Sequence, residues 1–161
     1  SDPELEVPVT PLPRRYSSQE LPDRLFISTA HNLVNLMSSY QPKTARKQFT
    51  RAETMLWEPA LTKFQSEMLD KDLRVFEELS RSQVFFADDA NIRIKRYPEQ
   101  AQVIVKIPGT LQKLIGNRPV DPENVIYYVT MTTIPRQQFN RYGIVVINID
   151  SRNPNFEERD K

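Results

Sequence analysis

The apolar positions of this chain change period once, near residue 82, and that change divides it into a helical half and a strand half. On a wheel of ~100° per residue, Leu25, Phe26, Thr29, Leu33, Leu36, Met37 and Tyr40 share one face. Arg24, Ser28, His31, Asn35 and Ser38 lie opposite. This spacing predicts an amphipathic helix of about five turns, running from Leu21 to the Gln41-Pro42 step. Ser18 offers a cap, Glu20 a first-turn acid and Pro22 an early helical position. A second helix is predicted from Pro42 to Trp57, with Ala45, Phe49, Ala52, Met55 and Leu56 at helical spacing. Pro59 then restarts the pattern. A third helix to Ser82 follows, striped by Leu61, Phe64, Met68, Val75 and Leu79, with Lys63, Glu67, Asp70, Arg74, Glu77 and Arg81 opposite. Asp72 is the misfit, projecting near the middle of the apolar stripe.

Beyond Ser82 the period is two. Val84–Phe86 and Asn91–Tyr97 read as one strand with a break at Ala87-Asp88-Asp89, and residues 98–100 as a turn. Ala101–Ile107 is a second strand that bends at Pro108-Gly109 and continues over Leu111–Ile115. Residues 116–122 are a loop. Val125–Ile134 is apolar on both faces, as a central strand would be. Residues 135–141 form a polar hairpin tip, and Tyr142–Ile149 the last strand. Three helices followed by four hairpin-connected strands define an α+β domain, with the helices over one face of an antiparallel sheet. Residues 1–17 carry Pro3, Pro8, Pro11 and Pro13 and read as an extended spacer. Residues 18–150 are the folded domain, and 151–161 a charged, disordered tail. The sequence opens on Ser1 rather than Met, so the expectation is that it starts inside a longer reading frame.

Charge and composition then remove function classes. Lys and Arg number 22 and Asp and Glu 21, a net charge of +1 over 161 residues, which argues against direct nucleic-acid binding through an overall positive field. Cysteine is absent, which excludes disulfides, thiolate metal sites and a Cys nucleophile. The three glycines, Gly109, Gly116 and Gly143, are too dispersed for a phosphate-cradling loop. His31 stands alone, without a second imidazole for a metal site, and no Ser is flanked by glycines as a nucleophile would be. No cofactor or metal is expected.

Four features carry candidate chemistry. Lys43, Arg46, Lys47 and Arg51 share one face of the second helix, which suits phosphate, an acidic partner or a solvated surface. Arg136 and Phe139 sit at the hairpin tip, where Phe139 either contacts a partner or folds back under the turn. Asp72, buried on its stripe, would have a raised pKa and could line a ligand pocket with Tyr128; paired or wet, it is structural. His31, on a polar face, reads as a proton carrier or as a solvated side chain.

The segments LPDRLFISTAHNLVNLMSSYQP, LTKFQSEMLDKDLRVFEELSRSQVFF and AQVIVKIPGTLQKLIGN, in that order, resemble the TraE-type pilus-assembly proteins of F-like conjugation systems. These are relatives of the VirB-class bitopic inner-membrane subunit of type IV secretion machines. The resemblance spans about residues 20–149. It implies a nuclear-transport-factor-two-like fold, helices against a curved four-stranded sheet. It also implies the periplasmic domain of a single-pass bacterial inner-membrane protein, with a transmembrane helix ahead of residue 1 and residues 1–17 as the spacer leaving the membrane. Its implied role is a non-enzymatic scaffold that contacts itself, as a homodimer or larger oligomer, and other secretion subunits. The Asn-Pro-x-Gly turn of the VirB-class relatives is not found here; Gly116-Asn117-Arg118-Pro119 reverses it. No site residue is therefore carried over. From the residues themselves, Arg46, Lys47, Arg51, Arg136 and Phe139 are the expected partner contacts. The alternative is a small cone-shaped ligand-binding domain or enzyme with its pocket near Asp72.

Overall fold

The computed structural model describes residues 12–154. Ser18 does not cap the first helix, whose N-cap is Pro22 without a side-chain bond, and Glu20 lies outside its first turn; the Glu20 carboxylate accepts from the Ser17 backbone N–H at 2.7 Å and closes a separate turn. Helix α1 therefore starts after Pro22 and spans Asp23–Ser38. Its buried face is Phe26, Ala30, Leu33 and Val34, a stripe rotated from the one drawn through the bulkiest side chains. The small Ala30 lets the helix lie close against the sheet. Helix α2 (Pro42–Glu53) begins as predicted, with Gln41 and Thr44 forming a reciprocal cap ahead of Pro42. It stops short of Trp57 because Met55–Trp57 leave the helix to pair with the last strand: Trp57 N–H donates to Val146 O at 2.8 Å, and Val146 N–H to Met55 O at 2.9 Å.

The predicted third helix is three pieces: α3 (Ala60–Phe64), a π-helical stretch Gln65–Asp72 and α4 (Leu73–Glu78). It ends before Ser82 because Ser80 adopts a left-handed φ of 48°, which turns the chain into β1 (Arg81–Ala87).

Among the described residues the sheet has six strands rather than four. The stretch read as one interrupted strand is two, β1 and β2 (Arg93–Tyr97), parted by a 3₁₀ turn at Asp89–Asn91. Both pair antiparallel with the same edge of β3 (Gln102–Ile115), β2 over Gln102–Lys106 and β1 over Gly109–Ile115. Pro108 sits at the junction, where its missing N–H leaves no gap in either ladder; its carbonyl accepts from Asp88 N–H at 2.8 Å. The short β4 (Arg118–Pro119) folds back on the end of β3. Strand β5 (Glu123–Thr133) pairs with the other edge of β3, and β6 (Ile144–Arg152) with β5, across a bulge near Thr130. Ser151 and Arg152, assigned above to the tail, still pair with Tyr127 and Ile126.

One face of the sheet buries Val103, Val105, Ile107, Val129, Met131 and Val146 against Phe26, Leu33 and Phe49. Tyr40, Phe49 and Phe64 make successive edge-to-face contacts, with centroids 5.6 and 5.8 Å apart, that join α2 and α3 into this core. On the opposite face Val84 and Phe86 of β1 are exposed, whereas Ile126, Thr130 and Val145 are buried. The arrangement is the α+β, nuclear-transport-factor-two-like one: helices on one face of a curved antiparallel sheet.

Candidate functional site: a cleft between the broken helix and the sheet

The broken helix does not close completely over the sheet. A cleft of about 530 Å³ separates Ala60–Met68 from the strands, lined by Tyr40, Phe64, Met68, Leu111, Tyr127 and Ile149, with Lys63, Glu67, Arg81 and Asp150 also along it. Its floor is apolar and its polar lining carries both signs of charge. Phe64 is buried and Met68 half-buried, so the helical wall is set by the periodic residues of the third stripe.

Polar groups at the deep end are locked by α1. Ser38, the last residue of α1, donates its hydroxyl to the Tyr127 phenol at 2.8 Å. Its carbonyl accepts from the Gln83 side-chain amide at 2.8 Å. Gln83 is buried, and its backbone exchanges two bonds of 2.9 Å with Tyr40. The Tyr127 ring packs edge-on against Phe85, 5.2 Å between centroids. Burial pushes the Tyr127 phenol above its ordinary pKa, the Ser38 hydrogen bond opposes that, and the nearby Glu123 carboxylate adds to it. A neutral phenol held by a buried hydroxyl is a fixed polar point in an apolar cleft, suited to orienting a bound group.

The residues singled out from sequence scatter around this cleft rather than converging on it. Tyr128 is on the opposite face of β5, between Lys106 and Arg152, whose charged groups lie 5.9 and 5.1 Å from its ring centre. The cleft tyrosine is its neighbour Tyr127. Strand β5 is apolar on both faces, so alternation gave no means of choosing between the two. Asp72 ends the π-helical stretch, and its side chain lies outside those the structure describes. His31 faces Asp89 at 3.4 Å and accepts or donates a bond of 3.1 Å with Asn35, on a separate surface. Among the described residues no group of three acidic or imidazole side chains could hold a metal ion.

On α2, Lys47 and Arg51 are exposed with Lys43, whereas Arg46 is paired with Glu77 at 3.1 Å. At the hairpin tip Arg136 is half-buried. It donates to the carbonyl of Arg141 at 2.7 Å, and its guanidinium lies 5.6 Å from the centre of the Tyr16 ring. Phe139 does not fold back: it is 96% exposed. Arg14 and Tyr16, from the segment read as spacer, are held at the same tip; Arg14 O accepts from Arg136 N–H at 2.8 Å, and Tyr16 O from the Thr133 hydroxyl at 2.6 Å.

No protein-family model matches the chain, and no curated protein matches its sequence. Solved structures do match. A TraE protein in complex with 2-(2-furyl)isonicotinic acid superposes with a TM-score of 0.65 at 12% identity, over 83% of this chain and 98% of that one. VirB8 of Agrobacterium tumefaciens gives 0.64 at 12% identity, over 88% and 96%. The periplasmic domain of DotI gives 0.65 at 12%, over 83% and 96%. The chain has the VirB8-type fold. The overlap takes in almost the whole length of each neighbour, so the helical layer and the sheet are shared together. At such low identity the shared property is the fold, as it must be when many core sequences fill one backbone.

Proposed function

We propose that this chain is an assembly component of a bacterial type IV secretion or conjugation apparatus. On this reading it is the periplasmic domain of a single-pass inner-membrane protein and acts by association, with itself and with other subunits of the machine, without catalysis. The observation that carries the reading is near-full-length agreement with TraE, VirB8 and DotI, at TM-scores of 0.64–0.65. The sequence resemblance to TraE-type proteins, drawn from the order of three separate segments, points the same way. A membrane anchor would confine the domain to a plane, raising its effective concentration so that individually weak contacts suffice. The exposed Lys47 and Arg51 on α2 are the proposed contact for an acidic surface of another subunit. Deleting the coding sequence in its host and scoring transfer of DNA or protein tests the role. Loss of transfer, restored by the wild-type gene, is the expected result, and unaltered transfer overturns it.

A second reading rests on the cleft. The TraE structure contains an isonicotinic acid derivative. Here the cleft joins an apolar floor to the Tyr127 phenol, with Lys63 and Arg81 along it. This composition would suit a small aromatic carboxylate. Titration of the chain with 2-chloroisonicotinic acid, followed by NMR, should perturb residues around Tyr127. Perturbation confined to other surfaces would remove this reading and leave the assembly role untouched.

A further inference from the structure

We infer that the β5–β6 hairpin tip, together with residues 12–16, is a docking surface for an anionic lipid bilayer. This goes beyond the assembly role and stands on the chemistry of the surface itself. The apex is Phe139, 96% exposed, with Leu12 61% exposed. Phe139 is held out by a closed turn. Gln137 and Asn140 exchange two backbone bonds of 3.1 Å, and the Asn140 side chain binds Gly143 N–H at 3.1 Å and Ile144 O at 2.9 Å. Gly143 has a φ of +69°, and a Cβ there would meet Ile134 O at 2.1 Å, so the turn depends on glycine. A phenyl ring fixed in water by this much bonding is a permanently displayed apolar group.

Around it lies cationic chemistry of one sign. Residues 12–16 and 135–143 contain Arg14, Arg15, Arg136 and Arg141 and no acidic residue, in a chain whose total charge is balanced at +1. Arg14, Arg15 and Arg141 are exposed. Tyr16 and Tyr142 complete the group with ring centres 6.1 Å apart, and Arg141 lies 5.1 Å from the Tyr142 ring centre. A projecting apolar ring, arginines and tyrosines are the chemistry of a bilayer interface, where acyl chains, phosphates and glycerol follow one another outward. A lone ring on a narrow tip offers a folded protein little area to bury, whereas a fluid lipid surface closes around it.

The test uses the 161-residue chain and two vesicle preparations, phosphatidylglycerol mixed equally with phosphatidylcholine, and phosphatidylcholine alone. Flotation should recover the chain with the anionic vesicles only, and added salt should release it. Phe139→Ala should weaken that partition about tenfold, from the lost apolar contact, with no change in melting temperature. Arg141→Glu should weaken it at least about fivefold. A Lys47→Glu/Arg51→Glu chain should still float. Phe139→Trp in a Trp57→Phe background should show blue-shifted emission with anionic vesicles. The proposal is overturned if neither vesicle binds, if both bind equally, if Phe139→Ala floats like the wild type, or if only the α2 variant loses binding. A tip that meets an acidic protein instead gives the first of these results.

Discussion

Replacing Tyr127 with Phe tests whether the deep end of the cleft is held by the Ser38–Tyr127 hydrogen bond. The ring and its edge-on contact with Phe85 survive the change, so packing is nearly conserved. What is lost is the acceptor of a 2.8 Å bond from Ser38, whose side chain belongs to a residue only 3% exposed. Leaving that hydroxyl unsatisfied should cost about 1–2 kcal/mol. For a domain of this length the melting temperature should then fall by about 2–6 °C. Ser38→Ala removes the donor instead, and Ser38→Ala/Tyr127→Phe removes both groups. The double variant should recover most of the loss, with a coupling of about 1 kcal/mol in a double-mutant cycle read by chemical denaturation. The phenol gives an independent signature. Its folded pKa is raised by burial, so the folded chain keeps its proton to higher pH than the unfolded chain does. The resulting stability is fully present below the unfolded value near ~10 and is lost as pH rises through the folded value. The stability difference between wild type and Tyr127→Phe should therefore shrink in alkali. Additive single variants, or a difference flat from neutral pH into alkali, would refute the reasoning.

The other predictions concern fold and surface. Gly143→Ala should destabilise the chain by about 2–4 kcal/mol, since a left-handed φ and a clash with a backbone carbonyl coincide there; thermal melting reads it. Phe49→Ala, which empties the site of a fully buried ring in contact with Tyr40 and Phe64, should cost about 3–5 kcal/mol by urea titration. Arg96→Ala should cost about 1–3 kcal/mol, because its guanidinium serves the Ser18 and Leu21 carbonyls at 2.9 and 2.7 Å and the Asp23 carboxylate at 2.6 Å. Lys47→Glu/Arg51→Glu should leave melting unchanged and reduce co-purification with the secretion subunits proposed above as partners; unaltered recovery would remove α2 from the proposed contact surface.

The fold was legible where one physical signal dominated. Alternation marked β3, a run of β-branched and aromatic residues apolar on both faces marked β5, and the Pro42 start of α2 was readable from proline chemistry alone. The errors lie where tertiary pairing overrode local pattern. Met55–Trp57 carry a helical spacing, yet they pair with Val146, because a free edge of β6 gains more from backbone partners than one further helical turn would. The split of β1 from β2 follows from β3 being long enough to seat both on one edge. The cleft was the least legible part. It depends on Ser38, Gln83 and Tyr127, polar residues from three elements whose approach no sequence period encodes. The fold resemblance needed neither, since it drew on the order of helices and strands.

The handling of the sheet edges bears on how such a domain would associate. An open sheet invites pairing through its edge strands, and here both outer edges are partly occupied by the chain itself. Ser39 and Tyr40 bind β1, through the Ser39 hydroxyl to Phe85 N–H at 2.9 Å and through the two Tyr40–Gln83 bonds. Met55 and Trp57 bind β6 at Val146. A second copy adding a strand at either position would have to displace these bonds, each replaced at best by an equivalent one, so little net energy would be gained. Side-chain surfaces carry no such penalty. The α2 cations, the cleft and the exposed Val84 and Phe86 on the far face of β1 present groups not already committed to the ladder. The self-association proposed above is therefore expected through faces rather than edges, and each of those faces is reachable by substitutions that leave the core intact.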